Sequence, residues 1–152
     1  MNNLIRERKG MLILSLLVIL LPMGVGLFLW NQLPDQVPIH FGLNGQADNY
    51  AGKAFVVFGL PLLMAALQVL LLVVTMADPK GKNIAAKPFG LLLWICPLVS
   101  LFCGTMTYAK ALALPVDINL VGGLFLGLMF LVVGNYLPKC KQTYTVGIRL
   151  PW

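Results

Sequence analysis

Charge is scarce in this chain. Asp, Glu, Lys and Arg make up 11% of its 152 residues, against about 25% in an ordinary soluble domain. The mean hydropathy is +0.88. So few charges cannot cover a water-facing surface, which leaves the bilayer as solvent for most of the chain. Cysteine is scarce too: Cys96, Cys103 and Cys140 are an odd set with no framework spacing, which argues against a disulfide scaffold. They read as free thiols packing as small apolar residues. There is one histidine, His40. With no second ligand at a recognisable spacing, His40 and Asp48 make a poor metal site, and neither a metal nor another cofactor is expected.

What is abundant is apolar sequence, in four long runs. Met11–Trp30, Ala54–Met76, Phe89–Ala109 and Ile118–Leu137 contain no Asp, Glu, Lys, Arg or His. Each has about the length needed to cross ~30 Å of hydrocarbon as a helix. The first run follows a basic start but is longer than a usual signal core, and no small-x-small cleavage site follows it; it reads as a retained span. Absence of ionisable groups from all four runs weakens a pump or proton-coupled transporter reading, since such proteins place relays in the membrane. Gln68, the one strongly polar side chain of the second run, suits a helix–helix hydrogen bond. Gly123, Gly127 and Gly134, spaced by four and seven residues, form a smooth face for close helix packing, within the chain or in a homo-oligomer.

The expected fold is all-α: a polytopic membrane protein of four transmembrane helices, with a partly structured extracellular loop between the first two. Even-numbered spans put both termini on one side. On that side fall Arg6, Arg8, Lys9, Lys80, Lys82, Lys87, Lys139, Lys141 and Arg149; only Lys53 and Lys110 fall on the other. This bias places segment 1–10, the connector 77–88 and the tail 138–152 in the cytoplasm, and segments 31–53 and 110–117 outside. The net charge of +6 is thus a topology signal and an attraction to anionic headgroups, with no direct nucleic-acid partner implied.

The outer segment Asn31–Lys53 is the longest polar stretch, and its 23 residues exceed an ordinary connector, which points to function or to a fold of its own. Pro34 and Pro38 favour extended backbone before them. Val37, Ile39 and Phe41 alternate with other positions as in a short strand. Leu43-Asn44-Gly45 offers a turn, since Asn and Gly accept positive φ. His40, Asp48 and Lys53 are candidates to converge if the segment folds back. A general acid–base role for His40 finds no accompanying nucleophile motif. The residues singled out as a ligand-contacting set are Pro38, His40, Phe41, Asp48, Tyr50 and Lys53.

Two stretches carry a resemblance. Leu33, Pro34, Pro38, His40, Gly45, Asp48, Tyr50 and Lys53 in the outer segment, and Gly134, Asn135, Gly147, Ile148, Arg149, Pro151 and Trp152 in the tail, resemble the two signatures of the SdpI-type immunity-protein family of bacterial membrane proteins. The family usually has Asn in place of Thr143 and Thr in place of Leu150, and its full-length members continue with two more spans. The resemblance implies a plasma-membrane protein that protects a bacterium from a secreted antimicrobial peptide toxin. It also implies a second role, holding a transcriptional repressor at the membrane. The outer segment would meet the toxin and the cytoplasmic signature an inner partner, without catalysis. The competing reading is a small transporter or cell-envelope lipid enzyme using His40, Asp48 and Lys53 or a cleft between spans.

Overall fold

The computed structural model describes residues 6–79 and 86–136. Its elements follow in order as helix α1 (Lys9–Phe28), strands β1 (Gln36–Phe41) and β2 (Ala47–Gly52), a π-helical turn (Phe55–Gly59) running into α2 (Leu60–Ala77), then α3 (Ala86–Ala111) and α4 (Ile118–Tyr136). Among the described residues, four helical stretches are long and apolar enough to cross a membrane: Lys9–Phe28, Phe55–Ala77, Phe89–Ala111 and Ile118–Tyr136. The fold is therefore mostly helical with four membrane-spanning helices, as the hydropathy implied, plus one small antiparallel sheet.

The π-helical turn has a local cause. Pro61 has no N–H, and its ring collides with the carbonyl four residues back in a regular helix. Widening the preceding turn relieves that contact, and the Leu60 N–H bonds to the Phe55 carbonyl, five residues back. At the end of α3, Ala113 takes φ +56° while the Leu114 N–H reaches the Ala109 carbonyl at 2.9 Å, and Pro115 follows. This is a left-handed helix stop with alanine where glycine is usual. Asp117 starts α4 by accepting the Leu120 N–H at 3.0 Å.

The helices are apolar all round, so burial is decided by where they touch. Helix α1 packs chiefly on α3, with α2 against both. Close approach occurs at two glycines. A Cβ on Gly26 would lie 2.5 Å from the Tyr108 hydroxyl, and one on Gly104 would lie 2.7 Å from Pro22 Cβ. Polar side chains fasten the same seam: Ser100 Oγ donates to the Ile19 carbonyl at 2.9 Å and the Tyr108 hydroxyl to the Pro22 carbonyl at 2.9 Å. Gln68 is buried and its Nε2 donates to the Leu93 carbonyl at 3.3 Å.

Two apolar cores sit at opposite ends of this bundle. Leu33, Val37, Val56, Val57 and Tyr108 form one directly beneath the sheet, and Leu72, Phe89 and Leu93 form the other. Helix α4 stands apart, with no buried residue. A Cβ built on Gly123, Gly127 or Gly134 meets nothing within 4 Å among the described residues, where the close helix contacts fall at Gly26 and Gly104.

Candidate functional site

The polar segment between the first two spans is a β-hairpin. Its open end is fixed by Lys53 N–H donating to the Asp35 carbonyl at 2.9 Å, and pairing runs Gln36 with Gly52, Val37 with Ala51 and Pro38 with Tyr50. In an antiparallel ladder, bonded pairs alternate with non-bonded ones. Counting from the Asp35–Lys53 bond, Pro38 falls at a non-bonded position. Its nitrogen faces the outer edge, where a missing N–H costs no ladder bond and blocks edge pairing. Val37 and Pro38 are buried and Ile39 is half-buried, which seats β1 on the helical core.

Beyond Pro38 the register shifts twice. His40 pairs with Asn49 and Phe41 with Ala47, which leaves Ile39 on β1 and Asp48 on β2 as the extra residues. Such bulges re-aim side chains. Here the effect is to bring Asp48 to His40, with Nδ1 to Oδ1 at 2.5 Å. Both side chains remain exposed, at 69% and 51%. The turn closes through Gly45 N–H to the Gly42 carbonyl and Gly42 N–H to the Gln46 carbonyl, both 2.9 Å. Gly45 has φ +73°, a conformation that side chains disfavour. Asn44 Oδ1 accepts the Gln46 N–H at 3.0 Å. The turn is thereby specified by Asn44 and Gly45.

The residues singled out from the sequence divide into two groups. His40, Asp48 and Tyr50 are exposed and Phe41 is half-buried; His40, Phe41 and Asp48 lie toward the turn, and Tyr50 sits opposite Pro38. Pro38 is buried and Lys53 lies at the open end, away from the His40–Asp48 pair. Lys53 Nζ is 3.2 Å from Asp35 Oδ1, 3.4 Å from the Leu33 carbonyl and 5.1 Å from the Trp30 ring centroid. Its side chain is 18% exposed. It fastens the hairpin to the end of α1, an arrangement of cation over aromatic face. The suggested convergence of three ionisable groups is thus a pair at one end and a fastening lysine at the other. No cluster of three or more metal-ligating His, Cys, Asp or Glu occurs among the described residues.

Sequence reasoning missed Asn119. Its Nδ2 donates to the Leu43 carbonyl at 2.8 Å and lies against Gly45, joining the start of α4 to the hairpin turn. Leu43 itself is fully exposed. Nothing in the pattern around Asn119 signals this, because its partner is a backbone carbonyl 76 residues away. An apolar cleft of about 340 Å³ lies between α1 and α3, lined by Leu21, Val25, Leu29, Leu101, Thr105 and Leu112 among others, with no charged side chain. Of the tail signature, Gly134 and Asn135 lie in the last turn of α4. Gly147, Ile148, Arg149, Pro151 and Trp152 lie outside the described residues, as does the connector 80–85.

Four spanning helices carrying one folded hairpin between the first two define a multi-pass membrane protein with a built aqueous-facing element. Residues 17–65, which contain that hairpin and the adjoining parts of the first two spans, match the model of a domain of unknown function, DUF1648. Along 144 residues the chain is 24% identical to the "Immunity protein SdpI" of Bacillus subtilis (strain 168). That alignment takes in 92% of this chain and 66% of the relative, so the chain spans just under two thirds of the relative's length. No solved structure matches. Both matches point to the SdpI-type immunity-protein family as the one this chain is similar to.

Proposed function

We propose that this protein is an integral membrane immunity and signal-transduction protein of the bacterial plasma membrane. It confers resistance to a secreted antimicrobial peptide toxin by binding rather than by catalysis. The hairpin faces outside and meets the toxin through His40, Phe41, Asp48 and Tyr50. Pro38 and Lys53 hold its base. Both termini face the cytoplasm, where the basic segments and the tail signature hold a transcriptional repressor at the membrane. The observation that carries the reading is the hairpin itself. Two bulges, a specified turn and a lysine fastening build a rigid element whose distal side chains are left exposed. A rigid scaffold presenting exposed polar and aromatic groups is how binding surfaces are made.

The test is survival. A sensitive bacterium expressing the chain, with membrane insertion verified, is challenged with a panel of secreted membrane-active peptide toxins. Protection against one toxin and not the others is the expected result. Equal killing by every member of the panel, at verified insertion, overturns the reading.

The apolar cleft supports a second reading, a small transporter or a cell-envelope lipid enzyme, because it is large enough for part of an apolar substrate. That reading requires flux or turnover in proteoliposomes containing this protein alone. The absence of charged groups from the cleft leaves chemistry to the exposed His40–Asp48 pair, which lies on the hairpin rather than in it.

A further inference from the structure

We propose that Asn119 couples the hairpin turn to the fourth span, so that occupation of the turn displaces α4 and carries the motion to Gly134 and Asn135 at its far end. The proposal rests on the immunity reading only for the identity of the occupant; the coupling itself is a property of the free protein.

Three observations carry it. First, α4 is set apart from the bundle: none of its residues is buried, and its large side chains such as Leu124, Leu128 and Leu131 are more than half exposed. An element with so few buried contacts shifts at little cost in packing, which is where mobile elements are found. Second, its first turn is tied to the hairpin by a specific bond. Asn119 Nδ2 reaches the Leu43 carbonyl at 2.8 Å, and the turn that presents this carbonyl depends on Gly45 at φ +73°. A ligand that reshapes this turn, or takes the Leu43 carbonyl for itself, removes the tie. Third, one aromatic stack lies midway along the helix. Phe102 of α3 and Phe125 of α4 are parallel within 3°, with centroids 4.0 Å apart. The stack supplies a pivot, so a release at the first turn becomes a swing at the last. The distance from Asn119 to Gly134 is about 22 Å at 1.5 Å per residue. Coupling of this kind needs a two-state element that both ends bias, and α4 held or released by Asn119 is that element.

The experiment measures the far end and perturbs the near one. The full chain, with Cys96, Cys103 and Cys140 replaced by alanine, carries nitroxide labels at Val74→Cys and Val132→Cys, both lipid-exposed positions. It is reconstituted in phosphatidylcholine–phosphatidylglycerol nanodiscs, and the label–label distance distribution is recorded by double electron–electron resonance. Asn119→Leu removes the donor, and Asn44→Ala removes the acceptor of the Gln46 N–H and loosens the turn from within the hairpin. The expected result is that both variants broaden or shift the distribution. An unchanged distribution in both overturns the coupling. A change with Asn119→Leu alone overturns it as well, since that places the effect within α4. No toxin enters the measurement, so the two claims fail separately. Unmoved far ends in both variants, in a chain that protects, sink the coupling alone. A far end that moves in a chain giving no protection sinks the immunity reading alone.

Discussion

At the scale of single residues, the hairpin is held by unequal partners. Lys53 is mostly buried and touches Asp35, the Leu33 carbonyl and Trp30 together, whereas Asp35 is 96% exposed. Exposed ion pairs contribute about 0–1 kcal/mol, so Asp35→Ala is expected to change little. Lys53→Ala removes the cation from the Trp30 face and leaves the Leu33 carbonyl without that donor. Hydrogen exchange of amides 36–52 is the measurement: several-fold faster in Lys53→Ala, near wild type in Asp35→Ala. Equal acceleration in both would mean that the ion pair alone secures the hairpin. Much of this region was legible beforehand. The alternation of Val37, Ile39 and Phe41 and the Asn44-Gly45 turn follow from local preference. Strand β2 was not legible, because Ala-Asp-Asn-Tyr-Ala-Gly is poor in strand formers and is recruited by pairing with β1. The position of Lys53 was equally hidden. Register, which no local pattern fixes past a bulge, sets it opposite Asp35 and far from His40.

At the scale of elements, the spans were legible because length and hydropathy decide them. Their inward faces were not, since helices apolar on every side carry no stripe that marks the core. That is why the spaced glycines of α4 suggested a packing face while Gly26 and Gly104 make the close contacts. The two sets separate cleanly by substitution. Gly104→Val forces atoms into Pro22 across the α1–α3 seam, and overpacking of this kind costs about 1–3 kcal/mol. A Cβ at Gly127 meets nothing within 4 Å among the described residues. Thermal denaturation in detergent is expected to show a lowered midpoint for Gly104→Val and an unchanged one for Gly127→Leu. If a homo-oligomer forms through the α4 face, Gly127→Leu also lowers the assembled mass in light scattering while the fold persists. A lowered midpoint for Gly127→Leu in the monomer would contradict the placement of α4 outside the packed bundle.

At the scale of the whole molecule, two features of the bundle bear on function. The core beneath the hairpin makes that element continuous with the packed ends of α1, α2 and α3, and the proposed topology, argued from the basic residues, turns that end outward. A membrane-impermeant maleimide applied to intact cells, in a chain freed of its own cysteines, is expected to label Tyr50→Cys and not Lys82→Cys. Labelling of Lys82→Cys alone would invert the orientation and place the hairpin in the cytoplasm. With the orientation secured, the central claim is that the distal hairpin is the surface on which protection depends. The direct measurement is survival under the toxin that wild type resists, at matched membrane levels, for His40→Ala, Tyr50→Ala and, as a lipid-facing comparison, Leu124→Ala. Loss of protection by at least tenfold in the first two (about 1.4 kcal/mol if it reflects affinity alone), with Leu124→Ala unchanged, is the predicted result. Full protection from both hairpin variants would contradict it.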